Sequence, residues 1–297
     1  MKAFSSQAAL RSLGFAVLFI ALYSCQFAQS VEKDMISGLS TRGDGLSCDK
    51  VYLSDGENVI KRNTFVYGET YYVNFDGLEG FKRVGEGAFP NMQLVVVSRR
   101  GDTVLYVNDM YDGFTQGIEN SPLDLYGEVT LADPINSGED YTLYVNIRDK
   151  MGSGKFRAIL KFEVVPDKRI TITGNQVSSR EIYLFSQQRG RTITDGRAEF
   201  NENIYMLFEG LEGFSVEEGK VYLGLSLEIK DATGNLILDE ADLLGDEGMS
   251  YEMVNEQLAP NFILTGSQIA NPVNCKVRIW DKKGTAWLNA STEIIVN

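Results

Sequence analysis

The sequence predicts an all-β chain in which one domain plan is used twice. Three observations carry this. First, apolar and polar residues alternate over short segments, as in Tyr141-Thr142-Leu143-Tyr144-Val145-Asn146-Ile147, where Leu143, Val145 and Ile147 share one face. Second, glycine-containing turns recur at short intervals, and no segment keeps a helical period for four turns. Third, the string Phe75-Asp76-Gly77-Leu78-Glu79-Gly80-Phe81 returns as Phe208-Glu209-Gly210-Leu211-Glu212-Gly213-Phe214.

The chain begins with an export signal. Lys2 and Arg11 make a positive segment, and Leu13 to Leu22 is an unbroken apolar run, too short to span a bilayer comfortably. Its end, Leu22-Tyr23-Ser24-Cys25, resembles the lipobox of bacterial lipoproteins, in which a small residue precedes an obligatory cysteine. The resemblance implies cleavage before Cys25, lipidation of its thiol and anchoring by acyl chains. Several chains hold a protein stably where one gives marginal binding. The alternative is an ordinary cleaved signal whose cysteine is incidental. Residues 26–47 are polar, without a sustained period, and read as a flexible tether. The Arg42-Gly43-Asp44 string inside them is short enough to be chance.

The expected organisation is therefore a signal peptide over 1–24, a lipidated cysteine and tether over 25–47, a first β-sandwich over 48–166 and a second over 167–297. Further matches support the duplication. Val145-Asn146-Ile147-Arg148-Asp149-Lys150 matches Val277-Arg278-Ile279-Trp280-Asp281-Lys282, and Asp109-Met110 matches Asp242-Leu243. Two units of this length are domains rather than solenoid repeats. In the first copy strands are expected near 51–54, 69–76, 91–99, 103–107, 126–131, 141–149 and 156–165. Ser121–Leu125 and Gln257–Leu264 are the candidate helical turns. Seven short strands at this spacing resemble an immunoglobulin-like β-sandwich, without the Cys…Trp…Cys hallmark of antibody domains. Arg169 to Thr173 reads as the start of the second copy.

Composition narrows the chemistry. The chain has no histidine, which removes the commonest general base and metal ligand. Its 28 basic and 41 acidic side chains leave a net charge of −13, a surface that repels nucleic acid and anionic headgroups. Cys48 and Cys275 are too few for a disulfide scaffold; Cys275 falls at an inward position and reads as a buried thiol. No pair of acids is set apart for coupled acid–base work, so the chain is not expected to be an enzyme.

Two groups of residues remain as candidate sites. Acidic residues recur between the copies: Asp76/Glu209, Glu79/Glu212, Asp109/Asp242 and Asp149/Asp281. Strand parity places them at one pole of each domain. Oxygen ligands so gathered could bind calcium; otherwise no cofactor is expected. The alternative is that aspartates here open turns. The second group is Trp280 and Trp287, which flank a tight turn. Their spacing makes them a cross-strand pair, with Trp280 pointing away from the core. Such a pair is a platform for a sugar ring or a protein contact, or a structural pair shielding the sheet. At these places the first copy has Arg148 and Lys155-Phe156.

The whole resembles outer-membrane lipoproteins of Gram-negative bacteria with tandem immunoglobulin-like domains, some of which bind glycans. That resemblance implies a non-catalytic binding or adhesion module for a glycan or protein, anchored to the membrane through Cys25, periplasmic or surface-exposed. The alternative is a structural spacer or accessory subunit of an envelope complex.

Overall fold

The computed structural model describes residues 31–33 and 38–297. The expected signal peptide and Cys25 lie outside the described residues. The chain is all-β, with several antiparallel sheets and a single short helix among the described residues.

The first set of strands is β1 (Val31–Lys33), β2 (Ser40–Asp44), β3 (Lys50–Ser54), β4 (Val59–Ile60), β5 (Thr64–Val66), β6 (Thr70–Leu78), β7 (Pro90–Ser98), β8 (Thr103–Val107), β9 (Leu123–Thr130), β10 (Glu139–Asp149) and β11 (Lys155–Val165). One sheet runs β1-β2-β11-β10-β7-β8, with β5 parallel on β11; the other runs β4-β3-β6-β9. The second set is β12 (Thr171–Asn175), β13 (Glu181–Ser186), β14 (Arg191–Thr192), β15 (Arg197–Ala198), β16 (Asn203–Glu209), β17 (Lys220–Val221), β18 (Leu223–Lys230), β19 (Leu236–Glu240), β20 (Met249–Ser250), the helix α1 (Tyr251–Glu256), β21 (Asn261–Ile263), β22 (Val273–Asp281) and β23 (Trp287–Val296). Its large sheet runs β12-β23-β22-β18-β19, with β15 parallel on β23. Its smaller one runs β14-β13-β16-β21, and β17 and β20 form a ribbon. The two large sheets thus share one strand order.

Alternation drives these strands. In β22, Val273, Cys275, Val277 and Ile279 are buried while Asn274, Lys276 and Arg278 face outward. Each buried branched side chain of this kind contributes about 1.5–3 kcal/mol. The buried side chains form two clusters, one running from Leu39 to Val164 and one from Ile170 to Val296. Tyr183 and Leu207 of the second set pack into the first cluster.

The repeated Gly-Leu-Glu-Gly-Phe string has a steric cause. Gly80 and Gly213 hold φ of +96° and +98°. A Cβ on Gly80 would lie 2.3 Å from the Gly45 carbonyl oxygen, and one on Gly213 2.0 Å from that of Gln176. Only glycine fits such a conformation and approach. The following Phe214 is buried and Phe81 half-buried, so the loop does turn an aromatic toward each core.

Two expectations are corrected. Residues 40–47 are not tether: β2 pairs antiparallel with β11, from Lys155↔Asp44 to Ile159↔Ser40, and Leu39 and Leu46 are buried. β2 is the counterpart of β12, which pairs likewise with β23. Within β2 only Gly43 is buried, so the strand contributes backbone hydrogen bonds to a sheet edge and leaves no apolar alternation to read. The helical turns are also misplaced. Leu123 opens β9, Asn261–Ile263 is β21, and the helix lies earlier, at Tyr251–Glu256. Among the described residues no helix is long and apolar enough to cross a membrane.

Candidate aromatic platform on the second large sheet

The outer face of the second large sheet is organised in rows. Gly224, Trp280, Trp287 and Asn175 lie side by side on β18, β22, β23 and β12. The next row is Ser226, Arg278, Asn289 and Thr173. The two tryptophans are therefore direct cross-strand partners, and both are half-buried. The hairpin loop is Lys282–Thr285, because Asp281 N–H donates to Ala286 O while Lys282 N–H donates sideways to Tyr222 O.

Two features position the indoles, and a third leaves a polar atom unpaired beside them. A Cβ on Gly224 would lie 2.0 Å from Trp280 Cε2 and Cζ2, so the Trp280 ring fills the space that a side chain there would take. A glycine inside a strand marks such close approach. The Arg278 guanidinium lies 5.3 Å from the Trp287 ring centroid, within cation–π range. Asn289 Oδ1 is buried with no hydrogen-bond partner, in the row beside Trp287. Further along the same strands lies a groove of about 680 Å³ lined by Thr171, Asn274, Ser291 and Glu293. Trp287 and Ser291 are four residues apart, ~13 Å along a strand. An aromatic end and a largely apolar groove with hydrogen-bonding side chains thus share one strip, suited to stacking and hydrogen-bonding an extended ligand.

The repeated acidic residues have a different role. Asp149 accepts the Lys82 N–H on Oδ2 and the Met151 N–H on Oδ1. Asp281 accepts Ser215 and Lys283 N–H in the same way. Asp109 Oδ1 accepts from Met92 and Tyr111 N–H, and its Oδ2 is 2.6 Å from Lys150 Nζ. Asp242 Oδ1 accepts from Leu225 and Leu244 N–H, and its Oδ2 is 2.5 Å from Lys282 Nζ. Each copy thus repeats one clip, in which neighbouring Asp and Lys residues tie three loops at one end. Burial alone would raise the Asp109, Asp242 and Asp281 carboxyls. Lysine and backbone hydrogen bonds outweigh it for the first two, and mainly Ser215 and backbone N–H for the third, so all three fall below the usual carboxylate range.

Glu209 accepts two tyrosine hydroxyls. Asp76, opposite Lys50 in the β3–β6 ladder, lies beside Tyr52. Glu79 and Glu212 make backbone bridges to Ser47 and Ser178. The polar pole is real at Asp109/Asp149 and Asp242/Asp281, but its oxygens are spent on N–H groups and lysines. Among the described residues no three metal-ligating side chains gather, so the calcium reading does not fit these carboxylates.

The sequence reading missed Gly224, Arg278 and Asn289; the lone glycine within Tyr222-Leu223-Gly224-Leu225 was the available signal. It also missed a second aromatic face. In the first unit Tyr52, Tyr72 and Tyr126 lie on the outer side of β3, β6 and β9, and the Tyr72 and Tyr126 rings meet edge-on at 5.8 Å. These come from three separate strands, so no single segment announces them. Cys48 and Cys275 are both free.

No family model and no curated protein matches the chain. Among solved structures, one described as "pT26-6p" is similar at 12% identity with a TM-score of 0.26, over 99% of this chain and 70% of that one. A trypsin-activated alpha-2-macroglobulin from Escherichia coli is similar at 10% identity with a TM-score of 0.25, over 88% of this chain and 18% of that one. Likenesses this low assign neither fold nor function.

Proposed function

We propose that the protein is a non-catalytic binding module of the bacterial cell envelope, held at the outer membrane by acyl chains on Cys25. Its two tandem units are read as immunoglobulin-like sandwiches, and the ligand as a glycan or a protein segment stacked on Trp280 and Trp287. The carrying observation is the cross-strand pair of indoles, one seated over Gly224 and the other beside Arg278. Flat apolar rings flanked by hydrogen-bonding side chains suit the apolar face and hydroxyl rim of a sugar. The acidic balance of the chain disfavours nucleic acid as the ligand.

A glycan array probed with the wild-type chain and with Trp280→Ala and Trp287→Ala tests this reading. Binding lost in both variants, with unchanged melting, supports it; binding retained in both overturns it.

A rigid spacer or accessory subunit is the second reading. It is favoured by the hydrogen bonds that join the units: Ser137 N–H to Glu181 and Thr192 Oγ1 to Gly68 O, besides Tyr67 to Glu209.

A further inference from the structure

We infer that the outer face of the first large sheet is a contact surface for anionic lipid headgroups. It carries four exposed cations in two adjacent rows, in a chain whose overall charge is strongly negative. Arg42 of β2 lies directly opposite Arg157 of β11, and Arg148 of β10 lies directly opposite Lys155 of β11. Lys155 and Arg157 are two residues apart on one strand, so all four point the same way.

Like charges directly opposite one another destabilise a sheet. Among the described residues the Arg42–Arg157 row holds no carboxylate, and the Arg148–Lys155 row holds one, Asp44. Among the described residues, none of the four makes an ion pair; Arg157 donates instead to Asn146 Oδ1 at 2.8 Å. Asp44 is the one carboxylate in these rows, opposite Lys155, and Lys161 and Glu163 lie further along β11. Four cations against one carboxylate leave these rows net positive, which suits a polyanion.

The chain itself argues that this polyanion is a membrane. Val31 of β1 is the register partner of Arg42. This step rests on the lipoprotein reading: with acyl chains on Cys25, only five residues lie between the anchor and Val31, a reach of at most about 20 Å. The basic face then lies at the end of the molecule held nearest the headgroups. Each basic residue close to an anionic leaflet contributes roughly a fivefold factor in partitioning. The acidic remainder is repelled, which turns this face toward the bilayer.

The test uses the mature protein reconstituted into vesicles of phosphatidylcholine alone or mixed with phosphatidylglycerol. A water-soluble amine reagent labels Lys155, with Lys276 on the second large sheet as internal reference. In the mixed vesicles Lys155 should label about fivefold more slowly relative to Lys276. High salt or the Arg42→Gln/Arg157→Gln double variant should remove the protection. Equal labelling in the two vesicle types overturns the inference. Mass analysis of the N-terminal peptide reports separately whether Cys25 is acylated. If it is not, the lipoprotein reading fails by itself. Salt-sensitive sedimentation of the unacylated protein with phosphatidylglycerol but not phosphatidylcholine vesicles would then support the basic face, and no sedimentation with either would reject it.

Discussion

The hydroxyl of Tyr67 in the first unit donates to Glu209 Oε2 in the second at 2.5 Å. Tyr183 donates to Oε1 of the same carboxylate at 2.8 Å, the two rings meet edge-on with centroids 5.4 Å apart, and Asp133 N–H donates back to the Tyr67 oxygen. One carboxylate therefore holds two tyrosines from different units.

Glu209→Ala should lower stability by about 1.5–3 kcal/mol, because hydrogen bonds to a charged group are lost and two largely buried hydroxyls lose their acceptor. Tyr67→Phe should cost less, and the double variant should be less destabilised than the sum. Urea unfolding of the four proteins measures this.

Alkaline stability follows from the same group. Burial, then the hydrogen bond to Glu209, pushes the Tyr67 and Tyr183 hydroxyls well above the ordinary phenol value. The folded state thus keeps these protons while the unfolded chain loses them. Their contribution is fully present below about pH 10 and declines as pH rises above it. Melting temperature against pH should fall there, and fall less in Tyr67→Phe.

Acid acts on the loop clips with the opposite sign. The lowered carboxyls of Asp109, Asp242 and Asp281 stabilise the fold above the ordinary carboxylate pKa of about 4, and that contribution is lost as pH falls below it. Asp281→Ala should cost about 1–3 kcal/mol at neutral pH by freeing the Ser215 and Lys283 N–H groups. It should also shrink the acid dependence of the melting temperature. Millimolar calcium should leave that temperature unchanged, since the clip oxygens are already engaged.

Cys275 is buried and its thiol is pushed up to about 12 by desolvation. A thiol reagent should reach it only after unfolding, at a rate that follows global stability.

The sequence-level reading succeeded where a side chain's neighbours are close in the chain. Val277 and Ile279 alternate within one strand, and Trp280 meets Trp287 across one short hairpin. It failed where partners are distant. Lys150 and Asp109 are 41 residues apart, so the aspartates read as a cation site when each was already paired. β2 reads as tether because it gives the sheet its backbone and not its side chains. The Tyr67–Glu209 bond, at a separation of 142 residues, follows only from how the two units meet.

Gly224 offers a test of the platform's geometry. Gly224→Ala places a Cβ where Trp280 now lies, so the indole must move outward. Trp280 should become more exposed to a soluble quencher while Trp287 stays as it is, measured in the Trp287→Phe background.

Intrinsic fluorescence tests the central claim most directly, because Trp280 and Trp287 are the two tryptophans of the chain. An oligosaccharide that binds by calorimetry should shift or quench their emission saturably, with the same affinity. Binding by calorimetry with no change in emission would place the ligand elsewhere and contradict the account.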